Sequence, residues 1–154
     1  MGALKERLRA DLVVAMKARD EAAKSNVRMA LAAIMNEEVA GKQARELADD
    51  EELRVITREV NKRKDSAQAY AEGGRPELAA KEAGEAEFLS QYLPAQLGDD
   101  EISAIVDARI AALAAGGEAP TMKQMGQVMK AVTAEIAGRA DGRRVSEIVR
   151  AALG

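Results

Sequence analysis

Residues 49–76 read DDEELRVITREVNKRKDSAQAYAEGGRP, and this stretch decides the fold. Leu53, Ile56, Val60, Ala67 and Tyr70 recur at the three- and four-residue steps that line one face of an α-helix. Four acids, Asp49 to Glu52, open the stretch, where carboxylates suit the positive end of a helix dipole. Asp49 is placed to cap the helix and Glu52 to close a capping box. Gly73-Gly74 ends the element. The run Val55-Ile56-Thr57 would suit a strand on its own, but the apolar spacing on both sides of it prevails.

The same reading extends in both directions. Pro76 suits the first turn of a following helix, where its missing N–H goes unneeded. That helix carries Leu78, Ala79, Ala83, Ala86 and Leu89 to Tyr92, and Pro94 stops it. Upstream, Leu4, Leu8, Leu12, Ala15 and Met16 predict a helix over 3–19. Val27, Leu31, Ile34, Met35 and Val39 predict another from Glu21, with Gly41 as its left-handed stop. Downstream, Asp99 caps a fifth helix whose Ile102, Ile105, Val106, Ile110 and Leu113 face inward, ending at Gly116-Gly117. Thr121 and Gln124 form a capping box for a sixth, through Met125, Val128, Met129, Val132 and Ile136 to Gly138. Asp141 caps a seventh that buries Val145, Ile148, Val149 and Leu153. The expected class is all-α: a four-helix N-terminal lobe over 1–94, then a small three-helix lobe over 98–154.

Composition agrees. Apolar residues make up 47% of the 154, so a core is feasible, yet aromatics are only 2% and Trp is absent. Packing therefore rests on Leu, Ile, Val, Met and Ala. A net charge of −3 argues against a general polyanion binder without excluding a local basic patch. The absence of Cys removes disulfides, thiolate catalysis and Cys-ligated metals. The absence of His removes the commonest general base and metal ligand. No metal or cofactor site is expected, and binding is favoured over catalysis. The charged start Met1-Gly2-Ala3-Leu4-Lys5 offers no signal peptide, and no window is apolar enough to span a membrane, so a cytoplasmic location is expected.

Two basic clusters are candidate sites. Arg54, Arg58 and Lys62 lie four apart on the third helix, with Arg63 and Lys64 beside them. Stacked like charges repel, which points to an anionic partner. The alternative is a solvated lattice of ion pairs, with Glu51 near Arg54 and Glu59 near Arg63. From Thr121 to the end, six cations (Lys123, Lys130, Arg139, Arg143, Arg144 and Arg150) face three acids, leaving −6 for residues 1–120. This asymmetry makes the last three helices the better surface for a phosphate backbone. With no aromatic nearby, contact would be by charge and shape, as with a folded RNA, and no DNA specificity is expected. Gly126 lies within the sixth helix, where Gly is about 1 kcal/mol worse than Ala. Its presence implies close approach of another backbone, a neighbouring helix before a ligand. Met122, Met125 and Met129 read as core, with an adaptable partner groove as the alternative. Lys64 with Ser66 is the one pair available for catalysis, and two residues apart on a helix they face different ways.

Together these segments resemble the YqeY family, also called GatB/YqeY-domain proteins, over essentially the whole chain. The resemblance rests on Ala15-Met16-Lys17, Arg28, Arg63-Lys64-Asp65-Ser66, Gly74-Arg75-Pro76-Glu77-Leu78 and Tyr92-Leu93-Pro94-Ala95-Gln96-Leu97. It continues through Met125-Gly126-Gln127-Val128-Met129-Lys130 and Gly138-Arg139-Ala140-Asp141-Gly142. The last two segments are also similar to the helical tail of GatB, the tRNA-binding subunit of the glutamine-dependent Asp-tRNA/Glu-tRNA amidotransferase. The resemblance implies an all-α fold in two lobes. It further implies a non-catalytic accessory protein that binds tRNA or another structured RNA through Lys123, Gly126, Lys130, Arg139, Gly142, Arg143 and Arg144. The alternative is an adaptor docking on a tRNA-dependent amidotransferase or a synthetase. A carbon–nitrogen ligase label would express kinship, because the GatB catalytic cradle is missing. Gln127 stands where many relatives have Lys, which removes one cation from that surface.

Overall fold

The four acids that open the third helix hold the first half of the chain together. The computed structural model describes residues 2–154. Seven α-helices run through them: α1 Ala3–Ala18, α2 Glu21–Glu38, α3 Asp49–Glu72, α4 Pro76–Ser90, α5 Asp99–Ala114, α6 Met125–Ile136 and α7 Gly142–Leu153. A single 3-10 turn, Met122–Gln124, feeds α6, and there is no strand among the described residues. The class is all-α, as the apolar spacing predicts.

The cap of α3 differs from expectation by one residue. Ala48, not Asp49, is the N-cap, and Glu51 rather than Glu52 reaches back, accepting from the Ala48 N–H at 2.8 Å. Arg45 selects this register, because its guanidinium donates two hydrogen bonds to the Glu51 carboxylate, at 2.9 and 2.8 Å. The remaining acids then serve other groups. Asp50 pairs with Arg54, Asp49 accepts from the Ala3 N–H at 2.9 Å, and Glu52 turns inward beneath the first turn of α1. There Glu52 is only 1% exposed and accepts from the Lys5 N–H, so a carboxylate of α3 satisfies an orphan donor of α1. Burial raises its pKa above the usual carboxylate value. Gly2 makes the arrangement possible, since a Cβ there would lie 1.9 Å from Glu52 Oε1.

Other helix ends follow from the sequence more directly. Gly74 at φ 75° closes α3, with Arg75 N–H donating to Tyr70 O at 2.8 Å and Gly74 N–H to Ala71 O at 3.3 Å. Pro76 opens α4. Gly41 is not the left-handed stop of α2; that helix ends at Glu38 with Val39 at φ −106°. Gly98 rather than Asp99 is the N-cap of α5, with Glu101 reaching back to its N–H.

The chain divides into two compact units, Met1–Leu93 and Pro94–Gly154. The core of the first is built on Leu8, Val27, Ile34, Ile56, Val60 and Leu89, each worth roughly 1.5–3 kcal/mol of burial. Tyr92 closes it, its hydroxyl donating to Asp11 and its ring lying 4.6 Å beneath the Arg7 guanidinium. Burial and Asp11 together push the phenol pKa well up. In the second unit every core side chain is β-branched: Ile102, Val106, Val128, Val132, Ile136, Val145 and Val149. Such side chains have one strongly preferred rotamer in a helix, so they lose little further freedom on packing. Met16, Met35, Val39, Tyr70 and Leu113, placed on apolar faces by spacing alone, are exposed.

Candidate nucleic-acid interface

The surface of α6 is set by how its first turn is made. Thr121 and Gln124 form the expected capping box: Gln124 Oε1 accepts from the Thr121 N–H at 2.8 Å, and Thr121 Oγ1 from the Lys123 N–H at 3.4 Å. The turn tightens to 3-10 before α6 begins. Val128, Val132 and Ile136 then face the core with Met125 and Met129 packed beside them. On the opposite side Lys123, Gly126, Gln127 and Lys130 lie along one exposed face. Neither lysine has a carboxylate partner among the described residues. Gly126 has no packing role, because a Cβ built on it would meet nothing within 4 Å. The neighbouring helix that its presence implied is absent from this face.

The arginines are arranged differently. Arg144 grips Asp99 of α5 with two hydrogen bonds, at 3.0 and 2.6 Å, and donates a third to Glu147 at 2.9 Å. Hydrogen bonding to this guanidinium holds the Asp99 carboxyl below its usual range. Arg139 bends back along α6, donating to Ile136 O at 3.0 Å and Glu135 O at 3.1 Å, where a cation suits the negative helix end. Ala137 and Gly138 supply the left-handed turn that allows this, at φ 49° and 81°. Gly142 opens α7 beside the exposed Arg143, whose N–H donates to its cap Asp141 at 3.0 Å. The charge surplus of the last 34 residues also changes once the unit is taken whole. Arg109 adds one cation, while Asp99, Asp100, Glu101, Asp107 and Glu118 add five acids, giving seven against eight. Arg109 itself pairs with Glu135 at 3.2 Å. The structure therefore brings Lys123, Gly126 and Lys130 together and engages Arg139 and Arg144 elsewhere.

The basic stack on α3 is partly dissolved in the same way. Arg54 pairs with Asp50 and Arg58 with Glu37, while Lys62 is exposed without an ionic partner among the described residues. Arg63 is not on that face. It is 8% exposed, pairs with Glu59 at 2.6 Å and Glu85 at 3.4 Å, and joins α3 to α4. Lys64 and Ser66 share no hydrogen bond among the described residues. Nor do these residues hold any group of three or more acidic or metal-ligating side chains that could bind a metal ion. Two features escaped the sequence reading: the buried Asn26, and Gly84 in the middle of α4. Both signals were present, a polar residue in the apolar stripe of α2 and a helix-interior glycine.

The family model described as Yqey-like protein matches residues 5–153. Among curated proteins, "Altered inheritance of mitochondria protein 41, mitochondrial" of Saccharomyces cerevisiae is 36% identical over 88 residues, covering 56% of this chain and 46% of the relative. The proteins of the same name from Vanderwaltozyma polyspora and Clavispora lusitaniae are each 34% identical, covering 56% and 60% of this chain and 46% and 52% of theirs. The chain thus spans about half the length of the curated relatives it matches. These names correct the expectation of a cytoplasmic location, since the relatives are mitochondrial proteins. The composition argument behind that expectation carries no address: a Cys-free chain is compatible with many compartments. No helix among the described residues is long and apolar enough to cross a membrane.

Proposed function

The chain belongs to the YqeY family, and from that premise we propose that it is an accessory protein that binds tRNA or another structured RNA through the open face of α6. One observation carries the reading. Gly126 is exposed with nothing above it, flanked by two unpaired lysines one turn to either side. A helix that keeps a glycine without internal need leaves its backbone accessible, and phosphate oxygens are small enough to approach that backbone between two ammonium groups. Lys123 and Lys130 supply the charge, Gly126 the access, and Gly142 with Arg143 a second exposed turn at the start of α7. Arg139 and Arg144 act as structural cations and are not part of the contact.

Filter binding with bulk tRNA across a salt series tests this directly. Affinity is expected to fall linearly in log–log form with added salt. Absence of salt-sensitive binding at micromolar protein defeats the reading. A second reading, docking on an amidotransferase or synthetase, is favoured by Met122, which is 46% exposed next to Lys123. Partners that survive nuclease treatment in a pull-down would support that adaptor role in place of RNA.

A further inference from the structure

In the first unit, α2 and α4 diverge around a groove of about 470 Å³ whose walls are mostly Ala22, Ala23, Ala80 and Gly84. Gly84 repeats the pattern of Gly126. It stands in mid-helix, where Gly is about 1 kcal/mol worse than Ala, and a Cβ built on it would meet nothing within 4 Å. Small walls alone would be a packing accident. A second feature is not of that kind: Asn26 lines the groove, is 9% exposed, and its carboxamide has no hydrogen-bond partner among the described residues. A buried amide left unsatisfied is destabilising by about 1–3 kcal/mol, so its retention points to a partner from outside the chain. Phe88, the only phenylalanine, lines the same groove.

These features define the ligand. An asparagine carboxamide presents one donor beside one acceptor, and its complement is a planar group carrying an acceptor beside a donor, such as the N7/N6 edge of adenine. The rim holds Asp20 and Glu85 against Lys81, which disfavours a free phosphate or carboxylate and suits a neutral ring. An aromatic side chain beside the amide fits the same chemistry. We propose that the α2–α4 groove is a binding pocket for an unstacked nucleobase, read by Asn26 in the manner of adenine. A free nucleoside and an unpaired base in a strand carry the same edge. The pocket lies within Met1–Leu93, apart from the α6 face, so its failure and that of the RNA-binding reading are separable.

The test is an NMR titration of the ¹⁵N-labelled full chain with adenosine. Saturable displacement of the Asn26 side-chain NH₂ and of the Gly84 amide is expected. Asn26→Leu should weaken binding about tenfold or more, while melting at or above the wild-type temperature because an unsatisfied amide has gone. Gly84→Leu, which fills the groove, should abolish binding. No displacement at millimolar adenosine overturns the proposal, as does equal binding by either variant. So does a destabilised Asn26→Leu, or equal affinity for N-methylacetamide. A single-stranded adenine oligonucleotide in parallel separates the two sources: tighter binding than adenosine supports a base within a strand, and equal binding supports a free nucleoside.

Discussion

Gly126→Ala separates a glycine kept for a partner from one kept for packing. The added methyl enters open space, so no repacking opposes it. What remains is the backbone effect, in which alanine favours the helix by about 0.5–1 kcal/mol over glycine. For a small domain this raises the melting temperature by roughly 2–8 °C. With no Trp, the measurement is far-UV circular dichroism at 222 nm, with hydrogen exchange at the α6 amides, which should slow by roughly two- to fivefold. The same variant should bind tRNA more weakly, because the methyl stands where phosphate would approach. Stability and affinity thus move in opposite directions. A Gly126→Ala chain that melts lower refutes the reasoning, since it would mean that another part of the protein occupies that space.

Four other outcomes follow from named contacts. Arg63→Met should destabilise the first unit by about 3–5 kcal/mol in urea denaturation, because it strands Glu59 and Glu85 without their shared cation. Gly2→Ala should cost about 1–3 kcal/mol and speed exchange of the Lys5 amide, because Glu52 must leave the space beneath α1. Glu51, held at about 2 chiefly by its hydrogen bond to Arg45, contributes stability that is present above its ordinary pKa and lost as pH falls toward 2. Carboxyl NMR titration should show that Arg45→Ala moves this midpoint upward. Arg144→Ala should leave stability little changed, its pairs being exposed, and should leave the dependence of tRNA binding on salt unaltered.

The number of helices was legible because each carries an apolar stripe and at least one punctuating residue. Pro76, Gly74, Thr121 with Gln124, and Asp141 act where local chemistry places them. The cap of α3 was not legible in detail, because four consecutive acids offer several local registers. The choice among them is made by Arg45 in the preceding loop and by the N–H groups of α1, more than forty residues away. Met16 and Leu113 misled for a related reason: spacing defines a stripe, but the neighbouring helices decide how much of it is covered. At the candidate site the cations were visible in sequence and their partners were not. Asp99 reaches Arg144 from 45 residues away, a pairing that no local pattern announces. Gly126 was singled out for the right reason, its penalty within a helix, and only the structure shows that no neighbouring helix accounts for it.

The salt dependence of tRNA binding, compared between the wild-type chain and a Lys123→Ala, Lys130→Ala double variant, puts the role of the α6 face to the most direct test. If both ammonium groups meet phosphate, the slope of log affinity against log salt should become shallower by about 2. An unchanged slope, or loss of binding only when Arg144 is replaced, would place the contact elsewhere on the molecule.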